Sequence, residues 1–372
     1  MDEAERRYPA FRFTLEEVSG AFGDSITVLP LLVGIGLTTE ANLAHMLLFF
    51  GIFQLATGLF FKLPMPVEPM KALSALAIAG TLTYSGIVAA GIVLGVLLFL
   101  LGITGAMEYL DSIVPTAVVR GIQLGLASIL LRTSVQYVSK NFALAAAGIS
   151  IVLAFLFLSR KYSIPDLSAF VVLCLGTVYG IYISGPPPIS LMELPRFHFP
   201  SLNLFGKIVL LGSLPQAALT IGNAVLATSL LFKDLLDVEV DPDRLCQSMG
   251  VMCLISSLFG GFPTCHGSGG LSGQYRFGAR TGGSNIILGT VYLGIATIAG
   301  ASGFLSFFPL SVLGALLIFV SLQLGLTSTE TEDWPVTLAV AIVSFWTNIG
   351  FGFLAGMGLA KIVKFIRSSR EK

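Results

Sequence analysis

Phe262-Pro263-Thr264-Cys265-His266-Gly267-Ser268-Gly269-Gly270-Leu271-Ser272-Gly273-Gln274-Tyr275-Arg276-Phe277-Gly278-Ala279-Arg280 separates two long apolar runs, at a point where a membrane-spanning helix would be expected to continue. The stretch holds five glycines, a proline and small hydroxyls, and positive charge comes only at its end. In hydrocarbon an unpaired backbone polar group is costly, so irregular backbone survives only inside protein or beside a water-filled cavity. A break of this kind marks a place where something other than lipid is handled. Its small residues and free amides point to an anion.

The surrounding composition fixes the class. Of 372 residues, 55% are hydrophobic and only 11% charged, with a mean hydropathy of +0.88. A soluble domain carries about 25% charged residues, so the chain reads as an all-α integral membrane protein whose first partner is the lipid bilayer. A formal net charge of zero argues against a nucleic-acid partner. Cys174, Cys246, Cys253 and Cys265 show no metal-ligand spacing, so neither a metal nor a cofactor is expected, and Cys246 and Cys253 read as packing on one helix. The charged start (Glu3, Glu5, Arg6, Arg7, Arg12) precedes the first apolar run near Val18, an order unlike a cleaved signal peptide. No soluble appendage is expected at either end.

A spanning helix needs roughly 20 apolar residues. Candidates are 18–37, 41–61, 84–107, 115–135, 141–159, 166–184, 204–232, 244–260, 284–304, 309–326, 335–348 and 350–367, with two interrupted segments, 63–80 and 263–280. That makes about fourteen segments, interrupted at the third and the tenth. With both termini in the cytoplasm, sixteen of the lysines and arginines fall inside and five outside (Lys71, Arg132, Lys140, Arg196, Lys207), the asymmetry of the positive-inside rule. The expected location is the cell (plasma) membrane.

An internal repeat is also visible. Leu29-Pro30, the Pro64-to-Ala72 break and Val114-Pro115 recur as Leu214-Pro215, the Pro263-to-Gly273 break and Phe308-Pro309, with proline offsets of 185, 199 and 194. Seven segments per half is odd, so the second copy runs inverted. The expected organisation is a cytoplasmic segment 1–17, a first repeat 18–190, an inverted second repeat 200–367 and a cytoplasmic tail 368–372. Matched interruptions in the two halves are the best sequence pointer to a transporter's substrate site. Prolines that merely kink helices for packing explain one break more readily than two matched ones.

In Pro64-Met65-Pro66-Val67-Glu68-Pro69-Met70-Lys71-Ala72, three prolines within six residues forbid a helix. Pro69 suits the first helical position, which would free the amides of Met70, Lys71 and Ala72. The second break should free amides from Ser268 through Gly269 and Gly270 to Leu271. Each helix start carries about half a positive charge, so two starts meeting make an anion site without a buried cation. A full charge at the bilayer centre costs ~2.5–3.5 kcal/mol or more, which favours dipoles and hydroxyls.

Gln216, Thr220 and Asn223 form one polar stripe at i, i+4 and i+7 on an otherwise apolar span, facing either substrate or a neighbouring helix. Their counterparts in the first half are Asp24, Ser25, Thr27 and Pro30. Thr264 and His266 are further candidates within the second break, although a lone histidine is more often a hydrogen-bonding strut. Asp24 and Glu68 are the two acids that read as intramembrane, and either could couple a proton or cation to transport. Glu68 can equally pair with Lys71 at i+3. Arg276 and Arg280 should close the end of the break, binding carbonyls or drawing anions to the mouth.

At both breaks the chain resembles the molybdate transporter family of the wider SulP (sulfate permease) anion-transporter group. The likeness rests on Pro64 to Ala72 and Cys265 to Arg280, with support from Leu214-Pro215-Gln216, Thr220 and Asn223, and runs from about Phe22 to the last span. It implies a seven-plus-seven inverted-repeat fold with a core of spans 1–4 and 8–11 and a gate of the rest. It also implies a tetrahedral dianion as substrate, molybdate first, with sulfate and tungstate unseparated. The family pattern has a glutamine where this chain has Glu68, and many SulP exchangers an arginine near Gly269 and Gly270. A homodimer is left open.

The expected function is a secondary oxyanion transporter working by alternating access. A nucleobase or bicarbonate permease of the same fold is the alternative, although a nucleobase site would want carboxylates facing the ring edges. An enzyme is not expected, since no HExxH motif is present, and the lack of a P-loop disfavours an ATP-driven pump.

Overall fold

The computed structural model describes residues 11–105, 114–162, 167–185, 192–298 and 308–370; residues 1–10 and 371–372 of the two terminal segments lie outside the described residues. The chain is almost entirely helical: α1 (Leu15–Ala21), α2 (Ser25–Thr38), α3 (Leu43–Phe61), α4 (Lys71–Ile78), α5 (Tyr84–Thr104), α6 (Thr116–Val138), α7 (Phe142–Tyr162) and α8 (Ser168–Ser184). There follow α9 (Leu204–Leu236), α10 (Pro242–Leu258), α11 (Ser268–Arg276), α12 (Gly283–Ile298), α13 (Leu310–Thr327), α14 (Trp334–Trp346) and α15 (Ile349–Arg370). Six of the described helices are long and apolar enough to cross a membrane, and four shorter ones are apolar. The first candidate span, 18–37, is two helices. A turn at Phe22–Asp24 divides them, where Gly23 abuts the Gly273 backbone too closely for any side chain.

Glycine sets which helices touch. Gly51 and Gly58 on α3 meet Gly289 of α12 and Gly282 just before it, and a Cβ at Gly58 would lie 2.7 Å from the Asn285 side chain. Helices that share an apolar solvent gain little from burial and associate through such close backbone approach. Thus α3 packs on α12 and α5 on α10, while α6 packs on α13 and α14, α14 on α15 and α7 on α8.

Over 63–80 and 263–280 the chain runs extended before it coils. Glu68–Pro69 (β1) and Thr264–Cys265 (β2) pair antiparallel, Glu68 opposite Cys265 and Pro69 opposite Thr264. This pairing corrects the helix start expected at Pro69. Met70 donates its N–H to Pro263 O at 3.0 Å, which holds Pro69 extended, and α4 begins at Lys71. The short helices α4 and α11 therefore leave from adjacent points of one two-stranded ribbon.

Candidate functional site

A cavity of about 470 Å³ opens where α4 and α11 begin. One wall carries Thr27 of α2, Lys71 of α4, Asn223 of α9 and Ser268, Gly269 and Ser272 of α11. The facing wall carries Arg120 and Gln123 of α6, Gln323 and Thr327 of α13, and Glu330 beyond it. Of the candidates read from sequence, Lys71, Asn223, Ser268 and Gly269 line this space, and Ser268 Oγ donates to Asn223 Oδ1 at 2.7 Å. Asn223 lies in Thr220–Ala227, one of two stretches of α9 wound as π-helix; such widened turns are frequent at functional sites.

The other candidates stand behind the cavity as its scaffold. Gln216 Oε1 accepts the Ala72 N–H at 2.8 Å and Gln216 Nε2 donates to Thr220 Oγ1 at 3.0 Å. Of the three amides expected free in the first break, those of Met70 and Ala72 are thus taken, because buried donors without water find protein partners. Gly270 is closed in by Glu68 and Pro66. Thr264 is fully buried opposite Pro69. His266 is a strut, with Nδ1 at 2.8 Å from Pro66 O and Nε2 at 3.1 Å from Ser248 Oγ, which ties the second break to the first and to α10.

Charge is concentrated just beneath the cavity floor. Glu68 is fully buried, and its Oε2 lies 2.6 Å from Lys71 Nζ, the i+3 pairing open to it from sequence. The Asp24 carboxyl approaches Glu68 from α2. Two acids therefore share one lysine, and the cluster needs a proton or a cation to be neutral. Another buried acid was not singled out from sequence: Glu17 of α1 accepts the N–H groups of Arg280 and Thr281 at 3.1 and 2.9 Å. Arg280 itself donates to Tyr275 O and Ala279 O at 2.6 and 2.7 Å, and so closes the end of α11 by binding carbonyls.

The sequence reading named none of Arg120, Gln123 or Gln323. Arg120 is tied to Glu330 Oε2 at 3.0 Å and to Gln123 Oε1 at 3.2 Å. Gln323 Oε1 accepts the Thr27 hydroxyl at 2.8 Å. Each of the three is a polar side chain on a helix with a largely apolar sequence, but α6 also carries Ser128, Arg132, Thr133, Ser134 and Gln136, so the sequence does not say which of its polar faces turns to the cavity.

The cavity, lined by Lys71, Arg120, the Glu330 carboxylate, amides and hydroxyls, sits among helices apolar and long enough to cross a membrane. The chain is a multi-pass membrane transporter rather than an enzyme, as the proteins it matches are. The family model for a molybdate transporter of the MFS superfamily matches residues 16–130 and 209–324. Molybdate transporter 2 of Arabidopsis thaliana is 35% identical over 94% of this chain and 87% of its own length, and molybdate transporter 1 of that plant is 33% identical over 96% and 90%. The chain belongs to the molybdate transporter family. Two solved structures share the fold. The transmembrane domain of a cyanobacterium bicarbonate transporter, BicA, superposes with a TM-score of 0.66 at 18% identity, over 94% of this chain and 98% of that one. The murine Slc26a9 anion transporter in its inward-facing state gives 0.72 at 15% identity, over 97% and 70%.

Proposed function

We propose that the chain is a secondary transporter of a tetrahedral oxyanion, molybdate first, which it holds in the 470 Å³ cavity between the starts of α4 and α11. The observation that carries this reading is the convergence of Lys71, Asn223, Ser268 and Gly269 on one wall and Arg120 on the other. Cations and helix-start amides recognise an anion with fixed donors. In this reading α4 and α11 are half-helices, and segments 18–190 and 200–367 are inverted repeats. The pairing pattern supports it: exchanging the halves turns α3 on α12 into α10 on α5 and leaves α6 on α13 unchanged. The helices of the first wall form a core that rocks against a gate containing α6 and α13. The lysine and arginine distribution supports termini in the cytoplasm, and the plasma membrane is the expected location.

The test is binding to purified protein across molybdate, tungstate, sulfate, phosphate, bicarbonate and uracil, followed by uptake of the tightest ligand into proteoliposomes. Saturable molybdate binding and uptake are expected, with tungstate and sulfate as competitors. Binding of uracil or bicarbonate without any tetrahedral oxyanion would overturn the reading. Asp24 and Glu68 are the coupling candidates within it, since their shared lysine leaves one charge to be balanced by a proton or a cation.

A further inference from the structure

A second cavity, of about 380 Å³, lies at the far ends of α4 and α6. Helix α6 lines both spaces. Thr116, Val119, Arg120 and Gln123 face the first, and Ile129, Arg132, Thr133 and Gln136 the second. Each set follows i, i+3, i+4, i+7 spacing, one helical face, and each contains an arginine and a glutamine. The two guanidinium-bearing positions are about 18 Å apart along the axis at 1.5 Å per residue. Likewise α4 begins in the first cavity at Lys71 and ends in the second at Leu76. Between the cavities Leu73, Leu126 and Leu130 are fully buried.

The second cavity is set up to receive an anion. Among the described residues, Arg132 is the sole charged side chain that lines it, and no carboxylate does. Arg120 is neutralised by Glu330, whereas Arg132 has neither ion pair nor side-chain hydrogen bond among the described residues. Asn348 Oδ1 accepts the Phe351 N–H at 3.1 Å, which leaves its amide N–H groups as donors. The Ser344 hydroxyl is buried without a partner.

We propose that this cavity is an anion antechamber, in which Arg132, with the amides of Gln136 and Asn348, takes up the tetrahedral dianion at the opposite end of the pathway from Arg120. The assignment rests on the transport reading for its role but not for the binding event itself. A guanidinium presents paired N–H donors that match two oxygens of an oxyanion, and an uncompensated cation in a cleft raises the local anion concentration and the on-rate.

Trp346 lines this cavity and Trp334 is the other tryptophan of the chain, so Trp334→Phe leaves a single local fluorophore. Titrating the full-length protein with sodium molybdate should change Trp346 emission saturably. Arg132→Gln should weaken that response about ten- to 100-fold, and Arg132→Lys should restore part of it. In proteoliposomes Arg132→Gln should raise KM and flatten its ionic-strength dependence while leaving kcat in place. Gly269→Leu, which fills the first cavity, should stop uptake and keep the Trp346 response. Silent Trp346 emission with intact molybdate uptake overturns the antechamber alone, as does an unchanged titration in Arg132→Gln. A saturable, Arg132-dependent response without uptake of any oxyanion overturns the transport reading and supports anion binding at Arg132.

Discussion

Thr27 on α2 donates a 2.8 Å hydrogen bond to Gln323 Oε1 on α13 and so joins the two walls of the 470 Å³ cavity. If the two walls move against each other as proposed, this bond stabilises the arrangement in which it is made. Its net value is about 0.5–1.5 kcal/mol, which shifts a conformational equilibrium about two- to twelvefold. Thr27→Val should therefore alter the uptake rate and the thiol-labelling rate of Ser272→Cys in a Cys174→Ser background. Oxyanion affinity should move by less than the labelling rate. Identical labelling with and without the threonine hydroxyl would show that the bond does not distinguish transport states.

Neighbouring glycines should respond in opposite ways. A Cβ on Gly269 would meet only Gln323 Nε2 at 3.8 Å and Lys71 Nζ at 3.9 Å, whereas one on Gly270 would collide with Glu68 and lie 2.8 Å from Pro66 Cβ. Gly269→Ala should fold normally, and Gly269→Leu should fold yet lose oxyanion binding in the 470 Å³ cavity by filling it. Gly270→Ala should lower the melting temperature by displacing a buried carboxylate. Thermal unfolding beside equilibrium binding separates the two; a stable, fully active Gly270→Ala would contradict the packing described.

Asn223 and Gln216 share a stripe but not a task. Loss of one hydrogen-bonding partner in a buried site costs ~1–3 kcal/mol. Asn223→Ala, which removes an amide from the cavity wall, should weaken oxyanion binding roughly five- to 150-fold. Gln216→Ala strands the Ala72 N–H and the Thr220 hydroxyl, so its main effect should be on thermal stability. Equal binding defects with unchanged stability in both variants would place Gln216 on the ligand.

Among Asp24, Glu68 and Lys71, the ion pair is the 2.6 Å contact between Glu68 and Lys71. Removing one member of a buried ion pair costs about 3–5 kcal/mol, so Glu68→Gln should destabilise the fold strongly. Asp24→Asn removes the unmatched acid and should be better tolerated. If that acid carries the coupling proton, Asp24→Asn flattens the pH dependence of uptake and retains binding. Uptake in the wild type that does not vary between about pH 5 and 8 would exclude proton coupling through this cluster.

Both breaks were legible because three prolines between Pro64 and Pro69 forbid a helix and the glycine-rich run from Gly267 disfavours one, although Gly269, Gly270 and Gly273 lie inside α11. The same local rules placed the start of α4 two residues early, since Pro69 belongs to a ribbon whose other strand lies nearly 200 residues away. One wall of the cavity could be named from residues inside or opposite the breaks. The other could not, because which face of α6 and α13 turns inward depends on tertiary packing. Glu17 was not among the acids that read as intramembrane; only the fold brings the Arg280 and Thr281 amides to it. Gln216 looked like a ligand because sequence shows that an amide faces inward but not which buried donor has already claimed it.

The pairing of Glu68 with Cys265 and Pro69 with Thr264 has an evolutionary consequence. Two segments far apart in the gene meet backbone to backbone, and each supplies half of one pocket. A substitution that lengthens, shortens or re-angles one strand moves the helix that follows the other. The two breaks cannot drift independently under selection, and a change of substrate in this family should leave paired marks, one in each half of the chain.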